Sequence, residues 1–158
     1  MNESKFVFFY GGIFSQWYKV KFSDDIHEFN CAEQYMMFKK AELFHDEKMA
    51  KRILKAKEPR LQKSLGREIR HFDKTLWRKK CEDIVYNGNK LKFTQNKFLY
   101  DKLLETKGKI LVEASPSDKI WGIGRSLYDP LRLDQKTWNG ENLLGFTLTK
   151  LRKDLIGE

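Results

Sequence analysis

The chain predicts an α+β fold that is mostly α-helical, with a small N-terminal β hairpin or sheet packed on a helical body. Three observations predict it. Two strand-like segments, FVFFY (residues 6–10) and YKVKF (residues 18–22), stand near the start. Helical periodicity, punctuated by caps and breakers, runs from Asn30 to about residue 106, and only one later segment, KILVEA (residues 109–114), reads as a strand before a final helix.

The elements follow in order. FVFFY is a run of β-forming residues closed by Gly11-Gly12. In YKVKF, Tyr18, Val20 and Phe22 share one face while Lys19 and Lys21 share the other, the period of a half-buried strand. The turn-rich SDDI that follows leads into a short HEF segment, which predicts a hairpin. Helices dominate from Asn30, with breaks expected near His45-Asp46, at Glu58-Pro59, around Gly66 and over residues 71–73. The longest helix begins after Asp73 as N-cap and repeats apolar residues at Leu76, Trp77, Cys81, Ile84 and Val85. Another covers about residues 97–106. Residues 115–140 read as loop, and a last helix spans about residues 141–155.

A length of 158 residues fits one domain, residues 1–158, with a core that needs no metal or disulfide to hold it. Cys31 and Cys81 lie fifty positions apart with no CxxC pairing, so no disulfide framework or thiolate zinc site is indicated, and a reducing cytoplasm is the expected setting. FVFFY is too short for a signal-peptide core, and no later stretch approaches the roughly twenty apolar residues a membrane span needs. Thirty-one Lys+Arg against twenty-two Asp+Glu leave a formal charge of +9, which favours encounter with anions such as nucleic acid or phosphorylated metabolites. Much of that excess is patterned. Lys48, Lys51, Arg52 and Lys55 recur at i, i+3, i+4 and i+7 and make a basic stripe, with further cations at Arg78, Lys79, Lys80, Lys90 and Lys92. Such stripes suit a solvated face or a phosphate backbone.

The stretch NCAEQYMMFKKA (residues 30–41) places two charges among apolar residues. On a helix turning about 100° per residue, Glu33 and Lys40 fall within roughly 20° of each other, flanked by Met36, Leu43, Met37 and Phe44. Gln34, Lys39 and Glu42 are the expected solvent contacts. Seven residues give about 10 Å of rise, too long for an i,i+4 pair, while Lys40 leans toward the helix N-terminus and so back over Glu33. Structural readings fit these residues too. Asn30 and Glu33 have the spacing of a capping box, and Lys40 can lay its stem on the core with its ammonium in water.

Taken together and in order, FYGGIFSQWY, CAEQYMMFKKA, Trp77 early in the long helix, LVEASPSDKIWGIG and WNGENLLGFTLTKLR resemble the NADAR (YbiA-like) family over about residues 8–155. The resemblance implies cleavage of a ribose C1–N bond in a phosphate-bearing substrate. Proteins of that family act on phosphorylated ribosylamine intermediates of riboflavin synthesis or remove ADP-ribose from guanine in nucleic acid. It also implies a mostly helical α+β fold, no metal and no cofactor.

Carried over residue by residue, the family's signature acid falls on Glu33 and its lysine on Lys40. The resemblance puts Asp118 with these as a third catalytic candidate, orienting ribose hydroxyls or the attacking water. Tyr10, Ser15, Gln16, Trp77, Trp121, Gly122, Gly124 and Asn142 are the expected substrate contacts, with Trp138, Gly140 and Gly145 completing the last motif. Gln16 departs from the pattern, because Asn often follows the serine there. Without the family, Asp118 also reads as a turn aspartate, Trp77 as core, Gly122 and Gly124 as a turn and Asn142 as a cap.

The residue types suit the implied reaction. Positive charge develops on C1 and the ring oxygen, where a carboxylate such as Glu33 stabilises it and activates water. A neutral Lys40 amine offers a second route through a Schiff base.

Overall fold

The computed structural model describes residues 5–158, which divide into two compact units. One is built from the N-terminal segment up to Ser15 together with Lys97–Glu158, the other from Gln16–Asn96.

In the Gln16–Asn96 unit, β2 (Phe22–Ser23) pairs antiparallel with β3 (Glu28–Phe29). Asp24 closes the hairpin, its Oδ1 accepting from the amides of Ile26 and His27. Phe22 faces Phe29 with ring centroids 5.7 Å apart, and Tyr35 of the next helix stands edge-on to Phe29 at 5.1 Å. The predicted hairpin is present, but only its end is a strand. Residues 18–21 have no strand partner among the described residues: Val20 N donates one backbone bond to the Asn30 carbonyl, and Asn96 Nδ2 donates to the Lys21 carbonyl.

Helix α1 (Ala32–Leu43) is the centre of this unit, packed against α2 (Glu47–Lys55), α3 (Pro59–Gly66) and α4 (Lys74–Thr94). Its burial runs almost all round, as an apolar sequence without a polar stripe requires. The breaks fall where punctuation put them. His45 adopts a left-handed φ of 58° between α1 and α2, Pro59 opens α3, and Asp73 caps α4 by accepting from Leu76 N. Asp46 caps α2 through Met49 N and also accepts from Arg70 N at 2.9 Å, so one buried carboxylate ties two segments.

Two expectations for α1 fail. Gln34 is buried, because its Nε2 donates to the carbonyls of Ile53, Leu54 and Ala56 at the end of α2 and its Oε1 accepts from Asn30 N. The Asn30–Glu33 capping box does not form: Cys31 is the N-cap, and the Glu33 amide donates to the Gln16 carbonyl at 2.9 Å.

In the other unit, β1 (Phe6–Phe9) pairs in parallel with β4 (Ile110–Glu113), Phe6 opposite Ile110. α5 (Lys97–Leu104) precedes β4, and α6 (Leu143–Ile156) packs on it. A two-stranded sheet leaves β4 with an open edge, and α6 together with its N-cap Asn142 supplies the missing partners. Thr149 Oγ1 accepts from Leu111 N, Asn142 Oδ1 accepts from Glu113 N, and Asn142 Nδ2 donates to the Leu111 carbonyl. Residues 115–140 are irregular apart from two 3₁₀ turns, Pro130–Leu133 and Gln135–Thr137, capped by Asp129 and Asp134. The first amides of α6 are satisfied by that loop, Leu143 N and Leu144 N donating to the Ile120 and Trp121 carbonyls.

Candidate functional site

Glu33 is on the first turn of α1, in the core, 3% exposed. Lys40, two turns on, is half-buried. Its Nζ donates to the Gly66 carbonyl at 2.9 Å, at the end of α3, and lies 4.7 Å from the Phe72 ring centroid and 5.4 Å from that of Trp77. The amine is thus held in an aromatic corner by α3, the turn before α4 and the first turn of α4. Burial pushes the Lys40 pKa below the ordinary lysine value, Glu33 acts against that shift, and Arg67 adds to it.

Trp77 is half-buried at the edge of that corner, with the amine over its ring, so it is neither wholly core nor wholly free. Phe72 was missed by the sequence reading. It is 46% exposed and packs on Phe44 at 5.3 Å, completing the corner. The residue lies just before a helix cap, where no periodicity marks it.

Gln16 belongs to the same unit. Besides receiving the Glu33 amide on its carbonyl, it accepts on Oε1 from Asn89 Nδ2 of α4 at 2.8 Å. Asn89 was also missed, although one signal was there: Asn87, Gly88 and Asn89 are poor helix formers in the middle of a long helix, which a tertiary role must justify. Lys92, one turn further, is fully buried. Burial pushes its pKa down to about 7, and the neighbouring Cys31 acts against this. Cys31 is pushed up to about 11, chiefly by burial, so it rests as a thiol.

The remaining predicted residues lie in the other unit. Tyr10 is 60% exposed after β1, and the Ser15 amide donates to the Gly12 carbonyl in a turn. Asp118 Oδ1 accepts from Ile120 N and Trp121 N at 3.0 and 2.8 Å, the bonds of a turn aspartate, and its own amide donates to Ser115 Oγ. Trp121 is half-buried. Gly122 is packed so closely that a Cβ would stand 2.9 Å from the carbonyl oxygens of Asp118 and Glu113, and Gly124 has a φ of +68°. Both shape the loop. Asn142 is fully buried and spends both ends of its amide on β4, while Trp138 Nε1 donates to the Arg132 carbonyl.

No group of three or more His, Cys, Asp and Glu side chains suited to a metal occurs among the described residues, and no described helix is long and apolar enough to cross a membrane. A hollow of about 300 Å³ lined by His27, Phe38, Glu42, His45 and Lys51, among others, contains none of the predicted site residues. Glu33 and Lys40 lie two turns apart on α1, and the Gly66 carbonyl with the Phe72 and Trp77 rings fixes the Lys40 amine.

The NADAR domain family model matches residues 8–156. N-glycosidase R617 of Acanthamoeba polyphaga mimivirus is 44% identical over 167 residues, covering 98% of each chain. The Riboflavin biosynthesis protein PYRR, chloroplastic, of Zea mays is 37% identical over 84 residues, 53% of this chain and 12% of that protein. Among solved structures, the NMR structure of the protein YbiA from E. coli superimposes with a TM-score of 0.80 at 25% identity, covering 99% of this chain and 88% of that one.

Proposed function

The chain belongs to the NADAR family, and we propose that it is an N-glycoside hydrolase whose substrate is ADP-ribose joined to guanine in nucleic acid. The observation that carries this reading is a buried Glu33 two turns before Lys40 on one helix, with the Lys40 amine held on the Gly66 carbonyl between the Phe72 and Trp77 rings. Similarity to a named N-glycosidase along almost the whole chain supports the reaction class. The choice of substrate rests on the unoffset cations of α2. Lys48, Lys51, Arg52 and Lys55 are all exposed, and none forms an ion pair among the described residues.

In this mechanism Glu33 stabilises the positive charge that develops at C1 as the C1–N bond breaks, and then takes a proton from the attacking water. Lys40 has two available roles. Charged, its ammonium protonates the departing nitrogen. Neutral, after the sugar ring opens, it adds to the iminium carbon and expels the amine, and water then releases the sugar from the Schiff base. The depressed Lys40 pKa raises the neutral fraction that the second role requires.

A second reading is hydrolysis of phosphorylated ribosylamine intermediates of riboflavin synthesis, favoured by the likeness to the riboflavin protein of Zea mays. One experiment separates these: hydrolysis of guanine-linked ADP-ribose in an oligonucleotide and of a ribosylamine phosphate, side by side, with product analysis. Faster release of ADP-ribose is expected. Preferential cleavage of the small substrate overturns the nucleic-acid reading in favour of the second, and binding of ADP-ribose without cleavage of either makes the chain a binding module.

A further inference from the structure

Gln16 and Asn89 form a half-made amide pair. Asn89 is fully buried on α4, and both of its N–H groups are used, one on Gln16 Oε1 and the other on the Val85 carbonyl, each at 2.8 Å. Those two acceptors fix which end of the amide is nitrogen, since the exchanged orientation sets oxygen against oxygen. The other ends are left over: Asn89 Oδ1 and the buried Gln16 Nε2 have no hydrogen-bond partner among the described residues. Two primary amides that share one hydrogen bond can close a second, and here that second bond is open.

A buried acceptor and a buried donor are both costly to leave unmade. One group satisfies the two together: a hydroxyl, which accepts from an N–H and donates to a carbonyl at once. The backbone of Gln16 also meets the first turn of α1, its carbonyl receiving the Glu33 amide at 2.9 Å, so the pair is tied to the turn that carries the proposed catalytic residue.

We propose that Gln16 and Asn89 bind one hydroxyl beside Glu33, Gln16 Nε2 donating to it and Asn89 Oδ1 accepting from it. The hydroxyl is supplied either by the ribose of the bound N-glycoside or by the attacking water, which present the same O–H chemistry. The inference rests on the N-glycosidase reading and adds a specificity-determining residue, Asn89, to it. A site that hydrogen-bonds a sugar hydroxyl rejects the analogue lacking it far more strongly than an apolar pocket rejects an added one.

The test is calorimetric titration of ADP-ribose, and of its analogues lacking the 2- or the 3-hydroxyl on the ribose that carries the scissile position. Wild type, Asn89→Leu and Gln16→Asn are compared, with turnover and thermal melting measured on the same preparations. Gln16→Asn draws the donor back by one methylene and serves where Asn89→Leu does not fold. If the group is the ribose hydroxyl, wild type binds one deoxy analogue on the order of tenfold more weakly, and the variants lose that preference. If it is the attacking water, the deoxy analogues bind wild type as well as ADP-ribose does, and the variants keep affinity but lose kcat on the order of tenfold. Folded variants that match wild type in both preference and kcat overturn the pair alone, leaving the hydrolase reading intact. A wild type that neither binds ADP-ribose nor cleaves the N-glycosides overturns both.

Discussion

Lys40 Nζ stands 2.9 Å from the carbonyl oxygen of Gly66, so the amine of α1 is seated on the last residue of α3. The bond, with the Phe72 and Trp77 rings beside it, aims the side chain inward and keeps it from trailing into water. Lys40→Met and Glu33→Gln are each expected to fold and to lose turnover by roughly a hundredfold or more. Because the Lys40 pKa is depressed, a mechanism using its neutral amine gives activity that rises with pH through a value below that of an ordinary lysine. Rate profiles and borohydride trapping check it. A fully active enzyme that yields no adduct on Lys40 during turnover would falsify the covalent route.

The α2 cations carry the substrate choice. Replacing Lys51 and Arg52 by alanine is expected to weaken activity on a modified oligonucleotide and to reduce the slope of its logarithmic salt dependence by about 2, roughly one per phosphate contact removed. Hydrolysis of a small ribosylamine phosphate is expected to stay unchanged in rate and salt response. Equal salt responses for the two substrates in wild type would sink this assignment.

Asp46 serves two segments with one buried carboxylate, capping α2 through Met49 N and holding Arg70 N. Asp46→Ala deletes both bonds and leaves the Met49 and Arg70 amides without their acceptor, so a loss of about 2 kcal/mol is expected by urea unfolding. Asp46→Asn retains an acceptor oxygen and is expected to lose less. A neutral result for the alanine variant would mean that Arg70 and the α2 turn are held by other contacts.

Lys92 predicts a pH effect of a definite sign. Its folded pKa is near 7 against an ordinary 10.5, so between those values the unfolded chain holds a proton that the folded chain lacks. Stability from this group therefore climbs as pH rises from about 7 toward 10.5, and below 7 the burial cost is present in full. Lys92→Met removes that slope. Urea unfolding at pH 7 and pH 9.5 is expected to show the variant gaining most over wild type at pH 7, by on the order of a few kcal/mol. A stability difference that is the same at both pH values would count against burial of a neutral amine.

Much of the fold was legible because its signals are local. Asp73, Pro59 and the 45–46 break act within a few residues of where they stand, and they delimit α4, α3 and α1 as the sequence reading has them. The hairpin turn at Asp24 is equally short-range. Residues 18–21 show the limit of such reasoning. Their alternation is that of a strand, yet strand identity needs a neighbouring chain, and Lys21 finds the side chain of Asn96, just past α4, instead.

The candidate site divides along the same line. That Glu33 and Lys40 share a face follows from the helical repeat alone, and Gln34, polar and exposed by the same repeat, is buried because the end of α2 brings it three carbonyls. Periodicity reports angle around an axis and nothing about what stands opposite. By itself the sequence determined which segments coil, where they stop and which residues point together. Only the tertiary structure decided that Phe72 joins Lys40, that Asn89 meets Gln16 across 73 positions and that Lys92 is shut from water. Hydrogen-bond partners and burial are set by chain segments remote in sequence, whose approach no local pattern encodes.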